Sequence, residues 1–198
     1  MGKITKDFYL RDNVVFIAQE LIGQYVLSNI NGVTTGGMIV ETEAYKGPED
    51  RASHAYQNKR SKRTEIMFAE GGVAYIYLCY GIHSLFNIVT NMQGIPHAVL
   101  IRAIEPTIGV EEMMERRKQN KLSYNLSRGP GTVSQALGVN TSHSGTNLSE
   151  NLLWLEYGQK NISINDLLAS PRVGIDYAGE DAKLPWRFRL KGNKWIGK

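Results

Sequence analysis

The chain has 198 residues, 42% of them hydrophobic and 21% charged, with a net charge of +4 and a pI near 9.1. This is one domain's length of soluble globular sequence, and its charge favours an anionic partner. Its single cysteine, Cys79, excludes an internal disulfide.

The four histidines are too scattered for zinc spacing, so neither metal nor cofactor is expected. No stretch nears the roughly 18 apolar residues of a membrane span, and the segment after Met1 lacks a signal-peptide core, so a cytoplasmic location is expected.

In chain order, Asp12 or Asn13 caps a helix running to about Ile22. Val14, Ile17, Ala18, Leu21 and Ile22 form its stripe, and Gly23 is its stop. Tyr25–Ile30 and Val33–Tyr45 read as strands joined by Asn31-Gly32, the dipeptide of a two-residue hairpin turn. From Gly36 onward, period two puts Ile39, Glu41, Glu43 and Tyr45 on one face and Met38, Val40, Thr42 and Ala44 on the other. Residues two apart on a strand stand roughly 6.5 to 7 Å apart, so the two carboxylates can occupy different environments. Gly47-Pro48-Glu49-Asp50 then signals a turn able to fold His54 back over the Glu43 and Tyr45 face. An acid, an aromatic ring and an imidazole so arranged suit a pocket for a flat ligand. On spacing alone, a solvated strand face is the commoner outcome.

Residues 58–63 read NKRSKR, either a solvated basic turn or a set of phosphate contacts through Arg60, Lys62 and Arg63. Val73–Cys79 is a strand with Tyr75 and Tyr77 on one face, followed by a second strand over residues 85–90. A connection centred near Ile82 brings Tyr77 opposite Asn87 and leaves Tyr80 at the tip. Turns normally take small or polar residues, so a tyrosine there either folds onto apolar surface or projects as a wedge between base pairs. The apolar run 97–103 carries one charge, Arg102, which calls for a carboxylate partner such as Glu43 or for an anionic ligand.

A surface helix is expected over residues 107–121, with Glu111 and Glu112 early and Arg116, Arg117 and Lys118 late. Arg128-Gly129-Pro130-Gly131-Thr132 precedes a short helix, 133–137, and offers weak phosphate-binding character through Arg128 and the Gly131 backbone. Trp154 and Leu155 suggest another strand, and residues 184–189 alternate apolar with basic to give a strand with one cationic face. Without repeats or linkers, one α+β domain over residues 1–198 is the economical architecture.

These motifs, in this order and over nearly the whole length, resemble the alkyladenine (3-methyladenine) DNA glycosylase family: VETEAYKGPEDRASH, IMFAEGGVAYIYLCYGIHSLFNIVT, VLIRAIEP, SRGPGTVSQALGVN and PRVGIDYAGE. The resemblance implies a mostly antiparallel curved sheet with flanking helices and a protruding, DNA-intercalating hairpin. It implies a monomer acting on double-stranded DNA with damaged purines. Glu43 would be the general base that deprotonates water, with Arg102 and the Val173 carbonyl helping to hold that water. Tyr45, His54 and Tyr77 would sandwich the extruded base, Asn87 would meet the purine edge, and Tyr80 would fill the vacated space.

The chemistry is coherent with this. Extrusion costs a few kcal/mol, stacking returns about 1 to 3 kcal/mol per base, and a carboxylate favours the oxocarbenium-like sugar while activating water. No lysine takes the nucleophile's place, which favours simple hydrolysis. The sequence departs from the family pattern at Thr132 (usually lysine), Thr64 (often asparagine) and Asp181 (aromatic in some relatives). A non-catalytic nucleic-acid-binding module and a hydrolase of free nucleosides are the rival readings.

Overall fold

A computed structural model describes residues 2–159 and 162–197. Its elements are α1 (Lys6–Tyr9), α2 (Val14–Glu20), β1 (Tyr25–Ile30), β2 (Val33–Tyr45), β3 (Val73–Cys79), β4 (His83–Thr90) and β5 (His97–Ile108). These are followed by α3 (Val110–Arg116), α4 (Pro130–Leu137), β6 (Leu153–Glu156), β7 (Leu167–Ser170) and β8 (Arg187–Leu190). The strands make one curled antiparallel sheet in the order β3-β4-β5-β2-β1-β6. One edge of β2 is shared: β1 pairs with its first half, and β8, carrying β7, pairs with Glu41, Thr42 and Glu43.

Local sequence explains these elements. The Asn13 side chain accepts from the N–H groups of Val15 and Phe16, so Asn13 and not Asp12 is the cap of α2. Asn31 and Gly32 both take positive φ, as a primed turn requires, and Ile30 pairs with Val33 across it. Helices α2 and α4 cover one face of the sheet, where Ile17, Ile39, Ala44, Phe86, Ile101 and Leu137 are wholly buried. Each large aliphatic side chain so buried contributes about 1.5–3 kcal/mol, which is why this face is continuous and apolar. The opposite face carries a second cluster with Met67, Phe68, Tyr75, Val89 and Ala98, against which Tyr77 packs.

Three expectations are corrected. Ile39 packs in the main core with Ala44 and not beside the glutamates, because the β2–β5 register shifts between Ile39 and Glu41 and the alternation slips there. Tyr77 faces Leu85, and it is Tyr75 that faces Asn87. The turn is centred on Gly81, with Tyr80 and Gly81 at positive φ and Ile82 N–H donating to the Cys79 carbonyl. A two-residue slip preserves the face, so Tyr75 and Tyr77 still point together. The helix expected over 107–121 is only α3: β5 stays paired with β2 up to Ile108, Gly109 turns the chain at positive φ, and Lys118 at φ 51 follows the helix end. Nor is α3 merely superficial, since Met113 lies in the core.

Among the described residues no helix is long and apolar enough to cross a membrane.

Candidate active site

Strand pairing alone assembles the centre of the site. Tyr75 faces Asn87, Asn87 faces Leu100, Leu100 faces Glu43 and Glu43 faces Arg187, a row running across β3, β4, β5, β2 and β8. Arg102 is the residue skipped in the β2–β5 register between Glu41–Ala103 and Thr42–Ile101, and this bulge aims it at both carboxylates. Its Nε donates to Glu41 Oε1 at 2.9 Å, and its Nη1 stands 3.3 Å from Glu43 Oε1.

The two glutamates are buried, and their environments differ. Glu41 accepts from Arg102, from Arg187 Nε at 2.7 Å and from the Gly197 N–H at 2.5 Å. Burial by itself would raise its pKa; the Arg102 charge, the Gly197 N–H and Arg187 outweigh burial and hold it below the ordinary carboxylate range. Glu43 has zero exposure. Its Oε1 is fixed by the Val173 N–H at 2.9 Å as well as by Arg102, whereas its Oε2, among the described residues, accepts only from the Tyr45 hydroxyl, at 2.8 Å. At Val173, then, it is the N–H that meets Glu43. Two carboxylates and two guanidiniums balance, and stranding any one of them would cost about 3–5 kcal/mol. The cationic face expected on residues 184–189 is therefore in part buried, because Arg187 turns inward to Glu41.

A cavity of about 470 Å³ is lined by Tyr45, His54, Arg63, Tyr77, Tyr80, Asn87, Arg102 and Val173; Glu43 is not in its lining and adjoins it through Tyr45, Arg102 and Val173. All the residues expected to meet a base thus come together. The His54 and Tyr77 rings, 4.5 Å apart, meet at 83°, so they form a corner of the wall and not two parallel faces. Asn87 donates from Nδ2 to the Tyr75 and Leu85 carbonyls. Tyr80 is 88% exposed at the hairpin tip at φ 50, where Leu78 and Ile82 are exposed too.

The expected phosphate contacts are placed unevenly. Arg60 pairs with Glu65 at 2.6 Å and lies over Phe68, and Lys62 and Arg63 are exposed, Arg63 standing 6.0 Å from the Tyr77 ring. Arg128 donates to the Lys194 carbonyl and lies over Tyr124, while Gly131 abuts His83, where a Cβ would come within 3.0 Å. The three departures have local roles. Thr64 is buried and ties the basic turn by accepting from the Ser61 N–H and donating to the Lys59 carbonyl. Thr132 donates to the Gly129 carbonyl, and Asp181 accepts from the Arg51 N–H.

Some neighbours of the site went unassigned in the sequence. Arg172 and Asp50, both without side-chain exposure, form a two-pronged ion pair at 2.5 and 2.8 Å. Arg172 also donates to the Ala44 carbonyl and lies 4.7 Å from the Tyr45 ring, which holds the loop bearing Val173 against β2. Adjacency of Arg172 to Val173 and the place of Asp50 in the turn were the available signals. Tyr177, 71% exposed, also lines the cavity. Among the described residues, no three His, Cys, Asp or Glu side chains gather as a metal site.

The cavity thus has aromatic walls, arginines in its lining and a buried carboxylate adjoining it, an arrangement that fits a flat ring. The methylpurine-DNA glycosylase family model matches residues 7–194, and the chain belongs to that family, whose members are DNA-repair hydrolases of N-glycosyl bonds. Similar proteins include proposed 3-methyladenine DNA glycosylases of Chlamydia felis, 47% identical over 96% of this chain and 97% of the relative, and of Bacillus cereus strain G9842, 41% identical over 96% and 97%.

Proposed function

We propose that this protein, as a monomer inside the cell, flips alkylated or deaminated purines out of duplex DNA and hydrolyses their N-glycosidic bond, leaving an abasic site. The substrates would be of the 3-methyladenine, 7-methylguanine, hypoxanthine and ethenoadenine class. The observation that carries this reading is the cavity lined by Tyr45, Tyr77 and His54, with buried Glu43 hydrogen-bonded to Tyr45 and Val173 of that lining. A base entering between Tyr45 and the Tyr77–His54 corner gains about 1 to 3 kcal/mol of stacking, which offsets extrusion. A cationic methylated purine gains further from electron-rich ring faces.

Entry of the nucleotide displaces the Tyr45 hydroxyl and opens Glu43 Oε2 to water, while Oε1 stays fixed by Val173 and Arg102. The carboxylate then takes a proton from that water as it attacks the oxocarbenium-like sugar carbon, and the purine leaves with the bonding pair. Tyr80 fills the gap in the stack, and Arg63, Lys62, Arg60 and Arg128 meet the phosphates.

Incubation with methylated duplex DNA followed by chromatography for free 3-methyladenine tests the proposal. Salt-sensitive binding without base release would identify a binding module, and release from nucleosides alone a nucleoside hydrolase.

A further inference from the structure

His54 Nδ1 and the Tyr75 hydroxyl are 2.9 Å apart, and among the described residues each is the other's one hydrogen-bond partner. Two arrangements fit that distance. If Nδ1–H donates, the phenol proton of Tyr75, a side chain only 2% exposed, is left without an acceptor. If the phenol donates, both groups are satisfied, and the ring proton sits on Nε2. Nε2 has no protein partner among the described residues and is not among the sealed, unpartnered atoms. His54 borders both the base cavity and an adjoining cavity of about 510 Å³.

We propose that Tyr75 is a positioning residue: its hydroxyl donates to His54 Nδ1, fixing the Nε2–H tautomer and making His54 a neutral donor to an acceptor atom of the bound nucleotide. The inference rests on the function proposed for this cavity. Tyr75 is itself held by the strand row opposite Asn87 and by stacking on Tyr77 at 5.5 Å and 26°. Among the described residues, Tyr75, Tyr77 and Arg63 face the imidazole, and Tyr56, Lys59 and Tyr177 line the adjoining cavity with it, none of them a carboxylate. Burial, with the Arg63 charge adding to it, pushes His54 down to about 4, and burial pushes the Tyr75 phenol up to about 12, so the proton stays on the phenol and the ring stays neutral. A donor fixed in this way favours an acceptor and disfavours another donor, which is a means of orienting the ligand as well as binding it.

Long-range proton–nitrogen correlation spectra of the full chain, with His54 assigned by comparison with His54→Gln, read the tautomer directly. The wild-type ring is expected to be protonated at Nε2 alone at neutral pH and to titrate at about 4. Tyr75→Phe keeps the stacked ring and removes only the hydroxyl. It should mix the tautomers and weaken binding of a lesion duplex roughly 3- to 10-fold. A wild-type proton on Nδ1, or an unchanged tautomer in Tyr75→Phe, overturns the proposal. The wild-type spectrum decides even if the variant fails to fold. Failure of the glycosylase reading would show separately, as absent base release with the tautomer intact.

Discussion

Replacing Glu43 by glutamine removes one charge and keeps the side chain's shape. The amide oxygen can take the place of Oε1, accepting from the Val173 N–H and Arg102, while the amide nitrogen takes the place of Oε2 beside the Tyr45 hydroxyl, which then accepts instead of donating. The base is lost. A positioned general base contributes about 10²–10⁴-fold, equal to roughly 2.7–5.4 kcal/mol of barrier. The electrostatic cost is smaller, because Arg102 keeps Glu41 at 2.9 Å. Weakening one charged hydrogen bond costs about 1.5–3 kcal/mol, well below that of a fully stranded charge, and lowers Tm by about 3–12 °C in a chain of this size. The assay is single-turnover release of 3-methyladenine from a duplex with one lesion, run well below both melting temperatures, with binding measured alongside. Binding should persist while release falls at least a hundredfold. A Glu43→Gln rate within tenfold of wild type would remove Glu43 from the role of base.

Asp50→Ala leaves Arg172 charged and buried without its partner, so stability should fall by about 3–5 kcal/mol and Tm by roughly 6–20 °C; melting unchanged from wild type would show the pair to be dispensable. Tyr80→Ala should weaken flipping, read as reduced fluorescence of a 2-aminopurine beside the lesion, and an unchanged signal would contradict the wedge. For pH, the His54 pKa is depressed to about 4 in the folded chain from 6.5, so between those values the unfolded chain binds more protons. Stability should therefore fall as pH drops from about 6.5 towards 4, by at most about 3 kcal/mol and by less where solvent reaches the ring. His54→Gln should flatten that part of the Tm profile; parallel profiles for the two proteins would refute the assignment.

Period-two alternation is a local property. It put Glu41, Glu43 and Tyr45 on one face, and Tyr75 with Tyr77 on another, with no knowledge of the fold. The same locality made the Asn31-Gly32 turn and the tip position of Tyr80 readable, because positive-φ turns depend on a few adjacent residues. Register is not local. Whether Asn87 faces Tyr75 or Tyr77 depended on where the 79–83 turn closed, and the bulges that move Ile39 into the core and aim Arg102 arise only from pairing with β5. The helix over 107–121 shortens to α3 for the same reason: strand pairing outweighs a helical charge pattern as far as Ile108. Electrostatics completes the contrast. Glu41 meets Arg102 across 61 residues of sequence and Arg187 across 146, and Glu43 meets the Val173 N–H across 130. Residue identity supplied the carboxylates, rings and cations. Only tertiary structure, by burying such distant groups together, decided that these carboxylates are balanced by arginine and adjoin an aromatic cavity.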